Sequence, residues 1–337
     1  MTGKVTPSLP NLCRPIPPRS LAMKDGVPAI RITTAMDTAN RKIIYVPGMK
    51  PKPPAKDHRA MLWRCLLDGV RRADPSWVEP LRSRPDVFEL AAWSTLFYHE
   101  QTTVEPDLPG IERLLQLDGP EPEDMREARH WHKRIAQFVY LLSDAFPWLI
   151  DLVANPAMKA TLQDARRYFQ NEDGRATRIR ERVTDELEQA AAAGQRVLLF
   201  GHSLGSVIAF DVLWELSRKR SSDVRIDTFV TLGSPLGLNF VQHRMLGSGE
   251  KGLLRYPDNI GRWVNLSAIG EMTSLDRSMA DDYAPMLSGG LIESITDFTA
   301  LETYFRGPLG LNVHKCYGYM ANVQTGRVIV DWLTRAA

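Results

Sequence analysis

Cysteine is scarce in this 337-residue chain: Cys13, Cys65 and Cys316 are too few and too scattered for a disulfide framework, and none forms a C-x-x-C pair. A reducing, intracellular setting is the simplest expectation, with the protein cytoplasmic. The N-terminal stretch carries Pro10, Pro15, Pro17 and Pro18 and lacks the apolar core, roughly 7–15 residues long, that a secretory signal needs. On that expectation the glycosylation sequon Asn265-Leu266-Ser267 is coincidental. No apolar run reaches the roughly 18 residues of a membrane-spanning helix; residues 138–153 come nearest and are broken by Asp144, Pro147 and Asp151. An excess of one charge is missing too, since 42 basic and 40 acidic residues leave a net +2. Such a balance provides no global field to hold nucleic acid. The densest basic run, 175–182, is interleaved with Glu181 and followed by Glu186 and Glu188, which predicts a solvated helix face with local ion pairs.

What remains is the composition of a globular protein, 44% hydrophobic and 24% charged, in a length that fits one α/β domain with insertions. Its most informative stretch runs from Arg196 through Gly201-His202-Ser203-Leu204-Gly205. The short continuous apolar run Val197-Leu198-Leu199-Phe200 predicts a parallel strand covered on both faces. Beyond Ser203 the period changes, with Leu204, Val207, Ile208 and Val212 at helical spacing and Arg218, Lys219 and Arg220 where a helix carries its negative end. Gly-x-Ser-x-Gly between a strand and a helix is the pattern of a sharp, strained turn. It raises the serine hydroxyl clear of the sheet, and the flanking glycines admit close neighbours.

Through Gly201–Gly205 and the later Thr231-Leu232-Gly233-Ser234-Pro235-Leu236, the chain resembles the α/β-hydrolase superfamily, most closely its lipase- and esterase-like branch. The resemblance implies an α/β fold with a mostly parallel central sheet, helices on both faces and an inserted helical cap. It also implies that Ser203 is a nucleophile.

Read in order, residues 1–28 form an irregular, proline-rich arm. Residues 29–36 and 42–46 predict a hairpin entering the sheet across the turn-type cluster Asp37-Thr38-Ala39-Asn40. Helical periodicity follows over 60–72 and a strand over 87–93. Residues 106–170 are helical, charged and aromatic, with predicted helices at 111–117, 123–142 and 148–169, and they interrupt the strand and helix alternation. They are therefore expected to be the cap, leaving 29–105 and 171–337 as the core. Phe138, Tyr140, Leu141, Leu142, Phe146, Trp148, Leu149 and Ile150 would line an acyl pocket, dock on a lipid surface or simply pack the cap onto the core. A helix over 175–193 ends at Gly194, strands follow at 224–232, 262–269 and 291–298, and a closing amphipathic helix spans 318–333.

A serine hydroxyl is a poor nucleophile at neutral pH, so it needs a base and a group that orients the base. In the resembling fold the order is serine, acid, histidine. Downstream of Ser203 lie only His243 and His314. His243 comes too early to leave room for the acid, whereas His314 follows the last predicted strand and precedes the closing helix, where the family carries its histidine. The acid is expected after the 262–269 strand: Glu271 directly follows Gly270, with Asp276 and Asp297 as alternatives. The resemblance further implies an oxyanion hole from the backbone N–H groups of Leu204 and Met49. Here Pro47 replaces the family's usual histidine before Gly48, which leaves a backbone donor unaffected. His202 is expected to pack beneath the serine. His130 and His132, two apart on a predicted helix, face different directions, and no other spacing suggests a metal. No cofactor is called for.

The expected activity is thus cleavage of small-molecule or lipid carboxylic esters through an acyl-enzyme. A membrane-surface lipid deacylase or acyltransferase using the same residues, with peripheral membrane contact through the cap, is one alternative. A hydrolase-shaped binding protein with a relic elbow, for which Pro47 and the glutamate at 271 are the only arguments, is the other.

Overall fold

A computed structural model describes residues 40–130, 156–271 and 278–335. The 1–28 arm, residues 29–36, the apolar stretch 138–153, His132 and Asp276 lie outside the described residues. In chain order the main elements are β1 (Arg41–Val46), α1 (Ala55–Ala73), β2 (Phe88–Leu90), α2 (Leu108–Gln116), α3 (Pro122–His130), α4 (Pro156–Phe169), α5 (Arg175–Ala192) and β3 (Arg196–His202). There follow α6 (Leu204–Trp214), β4 (Ile226–Leu232), β5 (Ile260–Ala268), β6 (Ser294–Leu301), α7 (Cys316–Met320) and α8 (Val323–Thr334). A small antiparallel ribbon pairs Arg306–Gly307 with Gly310–Leu311.

The six main strands form one sheet in the order β2-β1-β3-β4-β5-β6, and every neighbouring pair is parallel. Alternate residues of a strand face opposite sides, and the two apolar clusters follow that rule. Ile43, Tyr45, Leu198, Phe200, Val230 and Leu232 point into one cluster, closed by residues of α1, α2, α7 and α8. Ile44, Val46, Val197, Leu199 and Phe229 point into the other, closed by α5 and α6. Helix α6 lies deep: all of its residues are buried and apolar side chains surround its axis, as expected of a core helix. This is the α/β-hydrolase architecture, a parallel sheet with helices on both faces.

Several elements differ from the sequence expectation. Strand β1 has its two edges filled by β2 and β3, both parallel, so the described residues hold no hairpin partner for it. Strand β2 ends at Leu90; Trp93 is instead turned into the core and donates its Nε1–H to Pro47 O at 2.9 Å. The closing helix is two helices, because Asn322 breaks it and caps the second by accepting from Gln324 N–H at 2.9 Å. The basic run in α5 is only partly a solvated face: Arg180 is buried and pairs with Glu215 at 2.9 Å. Between β2 and β3 the described residues form helices without a strand, and Ile111 and Leu114 of α2 are buried in the first cluster.

Candidate active site

Parallel pairing brings the carboxyl ends of β1, β3, β4 and β5 side by side, with Val46 opposite Gly201, Gly201 opposite Thr231, and Leu232 opposite Leu266. The ladder continues past the strands: Ser203 N–H donates to Leu232 O at 2.9 Å and Gly233 N–H to Leu266 O at 3.0 Å. Open parallel sheets bind their ligands at this edge.

Ser203 sits between β3 and α6 with φ 54° and ψ −131°, a conformation that costs a non-glycine residue about 1–3 kcal/mol. Its surroundings hold it there. Ser206 Oγ–H donates to Ser203 O at 2.6 Å, and Ser234 Oγ lies 2.7 Å from Ser206 Oγ while accepting from Leu236 N–H at 3.2 Å. Gly205 of the motif admits the neighbouring strand end, since a Cβ there would lie 2.3 Å from Val46 O, and Gly48 after β1 returns the close approach, since a Cβ on it would lie 2.9 Å from Ser203 Cβ. Gly48 is therefore packed against the serine. The N–H groups of Met49 and of Leu204, the first residue of α6, bond no acceptor among the described residues. No described residue hydrogen-bonds the Ser203 hydroxyl either.

Glu271 lies just beyond β5, its carboxylate fully buried, and its Oε1 meets Nδ1 of His314, which is part-exposed. Three groups fix the carboxylate. Tyr319 on α7 donates its hydroxyl to Oε2 and accepts Ala268 N–H at 2.9 Å, while Ala268 N–H also reaches Oε2 at 3.3 Å. On the other side Gly233, at φ +53°, leaves no room for a side chain, because a Cβ there would lie 2.1 Å from Oε1. From outside, α3 leans on the same turn: a Cβ on Gly270 would lie 2.4 Å from Ala128 O. Helix α3 is in turn tied to the ribbon by its buried Asp124, which pairs with Arg306 at 2.7 Å and Arg113 at 2.8 Å.

His202 does more than pack. Its ring lies 4.9 Å from that of His314, and its Nε2 is 2.8 Å from His314 O. Burial, and then the neighbouring His314, lower the proton affinity of its imidazole well below the ordinary range. A neutral ring beside a carbonyl must carry its proton on that nitrogen, so His202 donates Nε2–H to His314 O. The residue next to Ser203 thereby holds the backbone of the candidate base.

Of the other residues weighed, Asp297 is engaged elsewhere: it accepts from Asn265 Nδ2 at 2.8 Å and from the N–H groups of Met279 and Ala280, both at 2.9 Å. His243 is exposed and bonded to Asn239 O at 2.7 Å. No metal-binding cluster occurs among the described residues. Sequence reasoning missed Tyr319, the donor role of His202 and the service of Gly233 to Glu271. All three are contacts between distant segments, and only Gly233, inside a quoted motif, carried any local signal.

The comparisons bear on one segment. Residues 137–255 match the family model of lecithin:cholesterol acyltransferase, a span that includes the Ser203 elbow and the Gly233 turn and stops before Glu271 and His314. No curated protein and no solved structure matches the chain. With its parallel sheet and its serine elbow inside the matched segment, the chain is an α/β-hydrolase-type enzyme.

Proposed function

We infer that the protein is a serine hydrolase of carboxylic esters, working through an acyl-enzyme on lipid substrates. Ser203 Oγ attacks the ester carbonyl while His314 Nε2 takes its proton, and Glu271 accepts the Nδ1–H and stabilises the imidazolium. The oxyanion is held by the N–H groups of Leu204 and Met49. His314 then protonates the departing alcohol, and a water, deprotonated by the same imidazole, releases the acid from Ser203. Residues 106–170 act as the cap over this site.

The observation that carries this reading is the contact between the buried Glu271 carboxylate and His314 Nδ1, with His314 bonded through its carbonyl to His202, the neighbour of a serine at positive φ. A buried acid on Nδ1 orients the imidazole and stabilises its protonated form, which is what a base for a serine hydroxyl needs. Ser203→Ala should lower turnover of p-nitrophenyl esters by roughly 10⁶-fold and abolish fluorophosphonate labelling. Undiminished turnover would falsify the assignment, and a wild-type protein that neither labels nor turns over would make the elbow a relic.

The family match favours a second reading, in which an alcohol rather than water takes the acyl group. Lecithin vesicles with and without cholesterol test it. A sterol ester formed in place of free fatty acid supports transfer, and free acid alone leaves a hydrolase.

A further inference from the structure

The loop after β1 carries Met49, and its backbone is tied to the segment that follows β2. Trp93 Nε1–H donates to Pro47 O at 2.9 Å, Tyr98 Oη accepts Lys50 N–H at 2.8 Å, and Ser94 Oγ accepts Lys52 N–H at 3.2 Å. Within the loop itself lies a bond from a side-chain nitrogen: Lys52 Nζ donates to Met49 O at 2.5 Å. The loop needs such ties, because Lys50 stands at φ 80°, in the left-handed region that side chains disfavour.

Lys52 is half-buried, and among the described residues Met49 O is the one acceptor its ammonium reaches. Charged and titratable groups face it from every side: Lys50 on its own loop, His58 on α1, Asp107 before α2, His202 in the elbow, and Lys315 and Cys316 after His314. Asp107 is engaged by Lys315 at 2.6 Å, so this carboxylate does not bond Lys52. An ammonium so placed adds positive charge beside the backbone that faces Ser203, since Gly48 between them abuts the serine.

We propose that Lys52 is a positioning residue for the oxyanion hole: its ammonium holds the Met49 carbonyl, fixes the backbone that presents Met49 N–H, and keeps a positive charge where the acyl oxygen becomes negative. This rests on the serine-hydrolase reading. A neutral amine can still donate to the Met49 carbonyl, but only the ammonium makes that bond charge-assisted and adds positive charge to the loop. Burial, followed in size by raising contributions from Cys316 and lowering ones from Lys315 and Lys50, brings the group down to about 8. The sign follows: the charge is complete below pH 8 and disappears as pH rises through that value, so turnover falls on the alkaline side.

The experiment compares wild type, Lys52→Met and Lys52→Arg with a neutral p-nitrophenyl ester, a carboxylate-bearing ester and a fluorophosphonate. Lys52→Met should lower kcat about 10–100-fold on both esters with KM within about twofold, and slow labelling equally, short of the loss for a direct oxyanion donor. Lys52→Arg should stay within about fivefold of wild type and keep its activity above pH 9, because guanidinium stays charged. This arm stands even if Lys52→Met fails to fold. Wild-type labelling with Lys52→Met labelling at the same rate overturns the proposal alone. A loss confined to the KM of the anionic ester overturns it in favour of an anion-binding role, and an alkaline limb shared by wild type and Lys52→Arg also overturns it. Wild type that does not label removes the serine-hydrolase reading and this proposal together.

Discussion

Gly233→Ala is a one-carbon perturbation aimed at the candidate acid without touching it chemically. The new Cβ would lie 2.1 Å from Glu271 Oε1, and real contacts of this kind stop near 3.0 Å, so the carboxylate must retreat by about 0.9 Å. Oε1 is the oxygen on His314 Nδ1, and Oε2 is fixed by Tyr319, so the retreat comes at the imidazole contact. A misplacement of about 1 Å in a catalytic constellation costs roughly 10²-fold in rate. Left-handed backbone at φ +53° adds about 1–2 kcal/mol of strain for alanine. The variant should therefore fold, with Tm lowered by several degrees, while kcat falls about 10²-fold and KM stays within about threefold. Glu271→Gln, which offers the wrong partner to Nδ1–H, should lose about 10⁴-fold. The decisive assay is the double variant: if Gly233→Ala acts through the acid, adding it to Glu271→Gln changes little further. Multiplicative losses, or a Gly233→Ala protein of wild-type activity, would refute the reasoning.

Other perturbations test neighbouring statements. Tyr319→Phe removes a hydroxyl that both donates to Glu271 and accepts Ala268 N–H, and should cost about 1–3 kcal/mol in urea unfolding and about tenfold in kcat, the KM being unchanged. Burial, with Lys52 and Lys315 adding to it, depresses His58 to about 3. The unfolded chain binds that proton below about pH 6.5 while the fold refuses it, so stability is complete above that pH and drains away as pH falls toward 3; the loss should reach about 2 kcal/mol by pH 5. Thermal melts should show that slope in wild type and a shallower one in His58→Gln. Leu199→Ala, at a fully buried position in the middle of β3, should cost about 2–5 kcal/mol, and a smaller loss would mean that the second apolar cluster collapses around the gap.

The fold was legible where one residue type does one local job. The run Val197–Phe200 and the change of period after Ser203 mark β3 and α6, because strand and helix each impose their own spacing. Gly194 marks the end of α5 by its positive φ of 64°. The break at Asn322 was hidden because apolar spacing continues across it, and only the cap geometry reveals two helices. Arg180 read as solvated since its partner Glu215 lies 35 positions away. At the site the same boundary applies. Ser203 announces itself by its glycines, while the contact of Glu271 with His314 came within reach only through the order in which the resembling fold carries its residues. Tyr319 and His202 act through partners on other strands and helices, which no local pattern encodes.

The lean of α3 on Gly270 has a practical consequence for anyone shortening this enzyme. Removing a segment that includes α3 reads on paper as opening a lid. Yet Ala128 O packs on Gly270, in the turn that leads to Glu271, and Arg306 would lose its Asp124 anchor in the same cut. A trimmed protein would not simply gain a wider doorway; it would lose the support of the turn that carries its candidate acid.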